Sequence, residues 1–376
     1  MPKSRMVGID IIRIIAAFLA AFFHLAYWSW APANSTPKSV LLGAAAYPEL
    51  VPYSHWGGIG VDIFFVISGF VIAYSATTGS AVDFLRRRFL RLFPGAMICA
   101  SATMLVAWLI GWQPLSALIN RFWRSVTFWP YGPYIDGQYW TLAIEVSFYA
   151  LVLLALAANQ RSRLEMIIGA MGCAIAIMWI AQWAYSGTIK SPVAGIIDAR
   201  TADILLLRHG AHFALGAVIY HAAIDRWTWT RGMIAAVCAT GATLAIFMSW
   251  GAAAHVSAWV WLLCVVALYL SAKHDGIVQR IFRPIAPSIA VAGLATYPFY
   301  LLHDIIGAAA IRYMVLSGVE RFSALALAFV AIAALSVGVT AAEGAIRRGL
   351  SRILLFTRPS SKELETERHR RLIPQR

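Results

Sequence analysis

Apolar residues dominate this chain in long runs separated by short polar intervals. Runs of roughly 18 to 25 apolar residues are long enough to cross a bilayer as helices. Ten such spans are predicted, near residues 9–30, 58–77, 93–112, 138–158, 164–184, 204–222, 231–250, 254–272, 289–315 and 322–343. The longest polar stretches are residues 31–57, 113–137, 185–203 and the tail from 357. None is long enough for a second folded domain, and no internal repeat is visible. The predicted fold class is therefore an all-α integral membrane protein of about ten transmembrane helices. Residues 1–356 form the membrane domain, and 357–376 form a basic cytosolic tail without fixed structure.

Composition agrees, with 60% of residues hydrophobic and only 13% charged, far from the balance of soluble domains. Basic residues then orient the spans, because cytosolic loops carry the excess of Lys and Arg. With the N-terminus inside, 22 of the 31 basic residues fall on the cytosolic side and eight on the other. Arg13, inside the first span, is the remaining one. Both termini are expected in the cytosol, and a bacterial inner membrane is the expected location. The net charge of +14 is accounted for by a positive inner face over anionic lipid, so no nucleic-acid partner is called for. Residues 1–30 could also be read as a signal peptide, but the run is too long and contains Arg13 and His24, so it is expected to stay as a helix. The cysteines Cys99, Cys173, Cys238 and Cys264 lie in apolar spans without paired spacing, which argues against disulfides and metal ligation.

Ionisable side chains inside spans cost several kcal/mol unless paired or wetted, and mark function by default. Asp10, Arg13, His24, Glu145 and His303 stand out. Arg13 and His24 are eleven residues apart, which leaves them about 20° apart around the first helix and roughly 16 Å apart along it. Glu145 is expected about 10 Å below the outer surface, counting about seven residues from the outer end of the fourth span at 1.5 Å each. That depth matches the one expected for His24. A carboxylate beside an imidazole fixes its tautomer and stabilises its cation, as a general base requires. The structural alternatives are a snorkelling Arg13, and His24 and Glu145 as helix-to-helix hydrogen-bonding groups.

Three further segments carry candidates. Gly57-Gly58-Ile59-Gly60-Val61-Asp62-Ile63-Phe64-Phe65-Val66-Ile67-Ser68-Gly69-Phe70 is rich in small residues that let helices approach closely, with Asp62 near its outer end. Phe84-Leu85-Arg86-Arg87-Arg88-Phe89-Leu90-Arg91-Leu92-Phe93-Pro94 joins spans two and three on the cytosolic side. Its arginines suit phosphate groups such as those of coenzyme A, and serve equally well as a topology signal. Thr296-Tyr297-Pro298-Phe299-Tyr300-Leu301-Leu302-His303-Asp304 sets His303 near mid-membrane, where Pro298 should kink or open the helix. His209 and His212 are less distinctive and read as structural.

Together these segments resemble the bacterial membrane acyltransferase-3 family, whose members acylate exopolysaccharides, O-antigens and related glycans. The resemblance covers almost the whole chain. It rests on Arg13 with His24, on Gly60 to Phe70, on Arg86 to Pro94, on Trp140 to Tyr149 and on Tyr297 to His303. The sequence departs from the family pattern at Glu343-Gly344, where Glu-Pro is common. The hydrolase-like C-terminal extension common in the family is not expected here, so the resemblance is to stand-alone, exopolysaccharide-type members. The resemblance implies transfer of an acyl group, acetyl first, from cytosolic acyl-CoA to a glycan or lipid-linked glycan. It implies His24 and Glu145 as catalytic residues, and Arg13, Arg86, Arg87, Arg88 and Arg91 as donor-binding. Asp10, Asp62, Tyr300 and His303 are expected to support them. No metal and no bound cofactor is called for, acyl-CoA being a co-substrate. The competing readings are a secondary transporter, since intramembrane Arg, His and Glu also build transport paths, and a non-catalytic assembly subunit.

Overall fold

A computed structural model describes residues 6–186 and 193–355. Expectations for residues 1–5, 187–192 and the tail from 356 lie outside the described residues. Among the described residues there is no strand.

Eight stretches are long and apolar enough to cross a membrane. They contain α1 (Val7–Phe23), α2 (Gly60–Ala76), α3 (Ala81–Leu109), α4 (Trp140–Ala157) and α5 (Leu164–Ser186). Next comes the shorter apolar helix α6 (Gly210–Ile224). The stretch Trp229–Lys273 holds two helices, α7 (Trp229–Trp250) and α8 (Ala254–Lys273), joined by a tight turn. The rest are α9 (Ala286–Leu302), α10 (Ile305–Leu316) and α11 (Arg321–Leu355). The predicted ninth span, 289–315, is thus two helices broken at His303 and Asp304. The predicted sixth span starts late, because Ala199–Ile204 forms a separate short helix capped by Asp198.

Contacts between helix ends give the relative directions. Gly8 abuts Ser271, Arg161 donates to the Gly79 carbonyl, Arg231 pairs with Glu165, and Arg347 donates to the Arg91 carbonyl. These are the ends that the charge pattern assigns to the cytosolic side, so the helix alternation agrees with that pattern.

Small residues set the tightest packing. A Cβ on Gly69 would lie 2.0 Å from the Phe213 carbonyl oxygen, and one on Gly216 would lie 1.9 Å from that of Val66. The backbones of α2 and α6 therefore touch, as small residues permit between membrane helices. The same holds for α1 and α2, where a Cβ on Gly60 would lie 2.2 Å from the Ala16 carbonyl oxygen.

The arginine-rich segment is helical rather than a loop. Ser80 and Asp83 form a reciprocal capping box that starts α3 at Ala81, before the arginines, satisfying N–H groups that would otherwise be unpaired. The helix runs on through Pro94, which cannot donate to the preceding turn. Donors from neighbouring helices serve carbonyls there: Tyr297 Oη donates to Leu92 at 2.9 Å and Arg347 to Arg91 at 3.3 Å.

Candidate active site

Helical spacing decides which arginines face inward. Phe84, Arg88 and Arg91 fall on one stripe of α3, and Arg88 and Arg91 line a cavity of about 100 Å³ together with Arg13, Ser68, Glu145 and Tyr300. Arg88 lies 5.7 Å from the ring centres of both Phe84 and Tyr149, and Arg91 lies 4.9 Å from that of Tyr297. Aromatic faces thus hold two cations at the edge of an apolar region. Arg13 pairs with buried Asp10 at 3.4 Å. Arg86 and Arg87 do not line this cavity. Arg87 turns to the end of α2, donating to the Ser75 and Thr78 carbonyls at 3.0 and 2.9 Å.

Glu145 is the only acid among the described residues lining the cavity. It accepts from Ser68 Oγ at 2.8 Å and from Tyr149 Oη at 2.5 Å. This corrects the expected pairing with His24. The depth count assumed that α4 begins at the outer surface, whereas the residues just before it, Asp136 and Gln138, are themselves fully buried. Gln138 contacts His303, which contacts His24. Seven residues further along, Glu145 lies roughly 10 Å deeper than that contact, at the cavity shared with Arg13.

His24 ends α1 and opens a five-residue π-helical turn, His24–Trp28. Such turns are rare and tend to occur at functional sites. Its partner is His303, at the end of α9, with Nε2 2.9 Å from His24 Nδ1. Asp304 Oδ1 is 3.8 Å from the same His24 atom. The acid beside His24 is therefore Asp304, brought in by the break between α9 and α10. Gln138 Nε2 lies 3.2 Å from His303 Nε2. Asp304 in turn sits next to the buried Asp136 carboxyl, which reaches the backbone of the following residue, Ile305. Asp136 accepts from the Gly137 and Ile305 backbone N–H groups at 2.7 and 3.3 Å.

The two features adjoin. Tyr300 lines the cavity, donates to Thr141 Oγ1 at 3.3 Å, and has its ring centre 5.7 Å from that of His303. A basic cavity thus leads by way of Tyr300 to buried His303 and its half-buried partner His24, with acidic neighbours. Asp62 is at neither place. It sits at the start of α2 against His209 and His212 of the α6 region.

Sequence reasoning missed Asp136 and Gln138, which read as the end of a polar loop. The available signal was Asp-Gly ahead of an apolar run, the signature of a helix-capping acid.

Residues 6–342 match the acyltransferase domain family known as acyltransferase-3. The chain belongs to the acyltransferase-3 family. It is 25% identical over 352 residues to nodulation protein 10 of Rhizobium leguminosarum bv. viciae, covering 85% of this chain and 89% of that protein. It is 28% identical over 178 residues to an O-acetyl transferase of Shigella phage Sf6, covering 42% of this chain and 48% of the relative. A putative membrane-bound transacylase, BcsY of Komagataeibacter xylinus, is 29% identical over 202 residues, or 47% of this chain and 45% of that one. No solved structure matches. The acyltransferase-3 match spans α1 to α10 and most of α11, so the cavity and the imidazole pair lie in the family domain of a multi-pass membrane acyltransferase.

Proposed function

We propose that this acyltransferase takes an acyl group, acetyl first, from cytosolic acyl-CoA and passes it to a hydroxyl of an envelope carbohydrate at the bacterial inner membrane. The observation that carries this reading is the continuity from Arg13, Arg88 and Arg91 through Tyr300 to the His303–His24 pair. Guanidinium groups at the cavity suit the phosphates of coenzyme A. The roughly 16 Å from Arg13 to His24 suits a donor whose thioester sits at the end of a long arm. A hydroxyl acceptor is favoured by the likeness to an O-acetyl transferase.

His24 is the general base in this proposal. With His303 Nε2 accepting, His24 Nδ1 carries a proton and Nε2 presents its lone pair. Nε2 removes the proton from the acceptor hydroxyl as its oxygen attacks the thioester carbonyl. The C–S bond breaks, and the departing thiolate takes the proton back from the imidazolium. Asp304 stabilises that cation. Glu145 balances part of the arginine charge in the cavity and shapes it through Ser68 and Tyr149. Tyr300 closes the path between cavity and imidazoles, Asp10 holds Arg13, and Arg86 and Arg87 contribute at the cytosolic mouth.

The test is transfer of label from acetyl-CoA to envelope polysaccharide, in membranes of a deletion strain complemented with wild type or His24→Ala. Label dependent on wild type supports the reading. Equal labelling by a correctly inserted His24→Ala protein would remove His24 from the chemistry. Uptake of a solute into proteoliposomes without any acyl donor would point to a transporter instead.

A further inference from the structure

Outside the donor cavity and the His24 pair, one buried cluster of titratable groups has no part in the proposed chemistry. Asp62, at the start of α2, faces His209 and His212, which flank the start of α6. All three are buried, His212 completely. One candidate ligand atom from each lies within 4.8 Å of the other two.

The distances within the cluster are informative. Asp62 Oδ1 is 3.6 Å from His209 Nδ1 and 3.5 Å from His212 Nε2. These separations are longer than well-formed hydrogen bonds. They are close to the edge of a tetrahedron around zinc, which is about 3.4 Å for ligand bonds of about 2.0–2.1 Å. Among the described residues, neither ring nitrogen of His209 nor of His212 has a hydrogen-bond partner. Four buried ring nitrogens without partners are costly, since each unsatisfied polar group forfeits about 1–3 kcal/mol. A cation held between the rings and the carboxylate would engage one nitrogen of each.

The surroundings match what metal ligands require. Asp203 Oδ1 lies 3.5 Å from His209 Nε2, the nitrogen pointing away from Asp62. A carboxylate behind a ligating histidine fixes its tautomer and raises its basicity. Trp250 Nε1 donates at 3.4 Å to Asp62 Oδ2 and so leaves Oδ1 for a metal. The rings of Phe65 and Trp261 pack against the two histidines, with centres 4.6 Å from His209 and 5.3 Å from His212, walling the cluster in.

We propose that Asp62, His209 and His212 bind a divalent transition metal, zinc in the first instance, with Asp203 orienting His209. Two imidazoles and one carboxylate suit that class of cation. The fourth tetrahedral position belongs to water or to a substrate oxygen. The site ties the start of α2 to the start of α6, a turn or two before the backbone contacts at Gly69 and Gly216.

The test uses the full chain, purified in detergent without metal-affinity steps, stripped with chelator and reloaded with zinc, with bound metal measured by mass spectrometry. The expected result is one zinc per chain, lost in His212→Ala and in Asp62→Asn proteins that elute as single species. Asp203→Asn should weaken zinc binding about 10–100-fold and still reach one zinc at saturation. Cobalt loading of the wild type should give the visible ligand-field bands of a tetrahedral site, a readout that stands even if a variant fails to fold. Zinc below stoichiometry in the wild type, or a cobalt spectrum without tetrahedral bands, overturns the proposal. Metal content is read without turnover, so the result does not depend on the donor or acceptor assigned above.

Discussion

His303→Ala probes the imidazole pair directly. It removes the group that lies 2.9 Å from His24 Nδ1 and leaves Gln138 and Asp304 facing a void. The lost hydrogen bond is worth about 0.5–1.5 kcal/mol, rising to about 1–3 kcal/mol when a buried partner is left unsatisfied. At 1.36 kcal/mol per factor of ten, transfer should fall about 10- to 100-fold. Loss of the base itself in His24→Ala should cost about 10²–10⁴-fold. If His303 acts only by orienting His24, the two losses are not additive. The double variant should then be no slower than His24→Ala alone. The assay is initial-rate transfer from labelled acyl-CoA in membranes with matched protein levels. A His303→Ala rate equal to wild type, or a further tenfold loss on top of His24→Ala, would refute the orienting role.

Three more outcomes are expected. Arg88→Ala removes one of three cavity cations and should raise the donor KM several-fold with a smaller change in kcat, measured by varying acyl-CoA at fixed acceptor. Glu145→Gln keeps an acceptor for Ser68 and Tyr149 and deletes the negative charge, so competitive inhibition by free coenzyme A should tighten several-fold. Weaker inhibition would instead place Glu145 on the acceptor side. Gly69→Ala forces a Cβ to 2.0 Å from the Phe213 carbonyl oxygen and should destabilise the protein by about 1–3 kcal/mol, seen as a lower melting temperature in detergent.

Hydropathy located the helices well, because a bilayer demands long apolar runs. The exceptions have local causes. The ninth span breaks at His303 and Asp304, a change of direction inside an apolar stretch that hydropathy does not register. The arginine segment is helical because a capping box at Ser80 starts α3 ahead of it, a signal that was present but outweighed by charge. Arg13, His24 and His303 were legible because charge and imidazole are out of place in lipid. Asp136 and Gln138 were not, since polar residues next to a polar interval look ordinary until the fold buries them. Glu145 lies away from His24 because the residues leading into α4 are already buried in the fold, and a count from the end of an apolar run cannot reveal that. His209 and His212 look unremarkable along the chain. Their partner Asp62 is far away in sequence, and only the contact of α2 with α6 joins them.

Helix α6 has 15 residues, a length of roughly 22 Å, against a hydrocarbon core of about 30 Å. A helix that short, facing lipid, would thin the bilayer around it or pull polar ends into it. Here α2, α5, α7 and α8 surround it, and its mismatch is absorbed by protein. A helix packed against protein on several sides in this way is free of the requirement to match the bilayer. Changes in lipid chain length should therefore act first on the rim of the bundle, while the spacing between α2 and α6 stays the same.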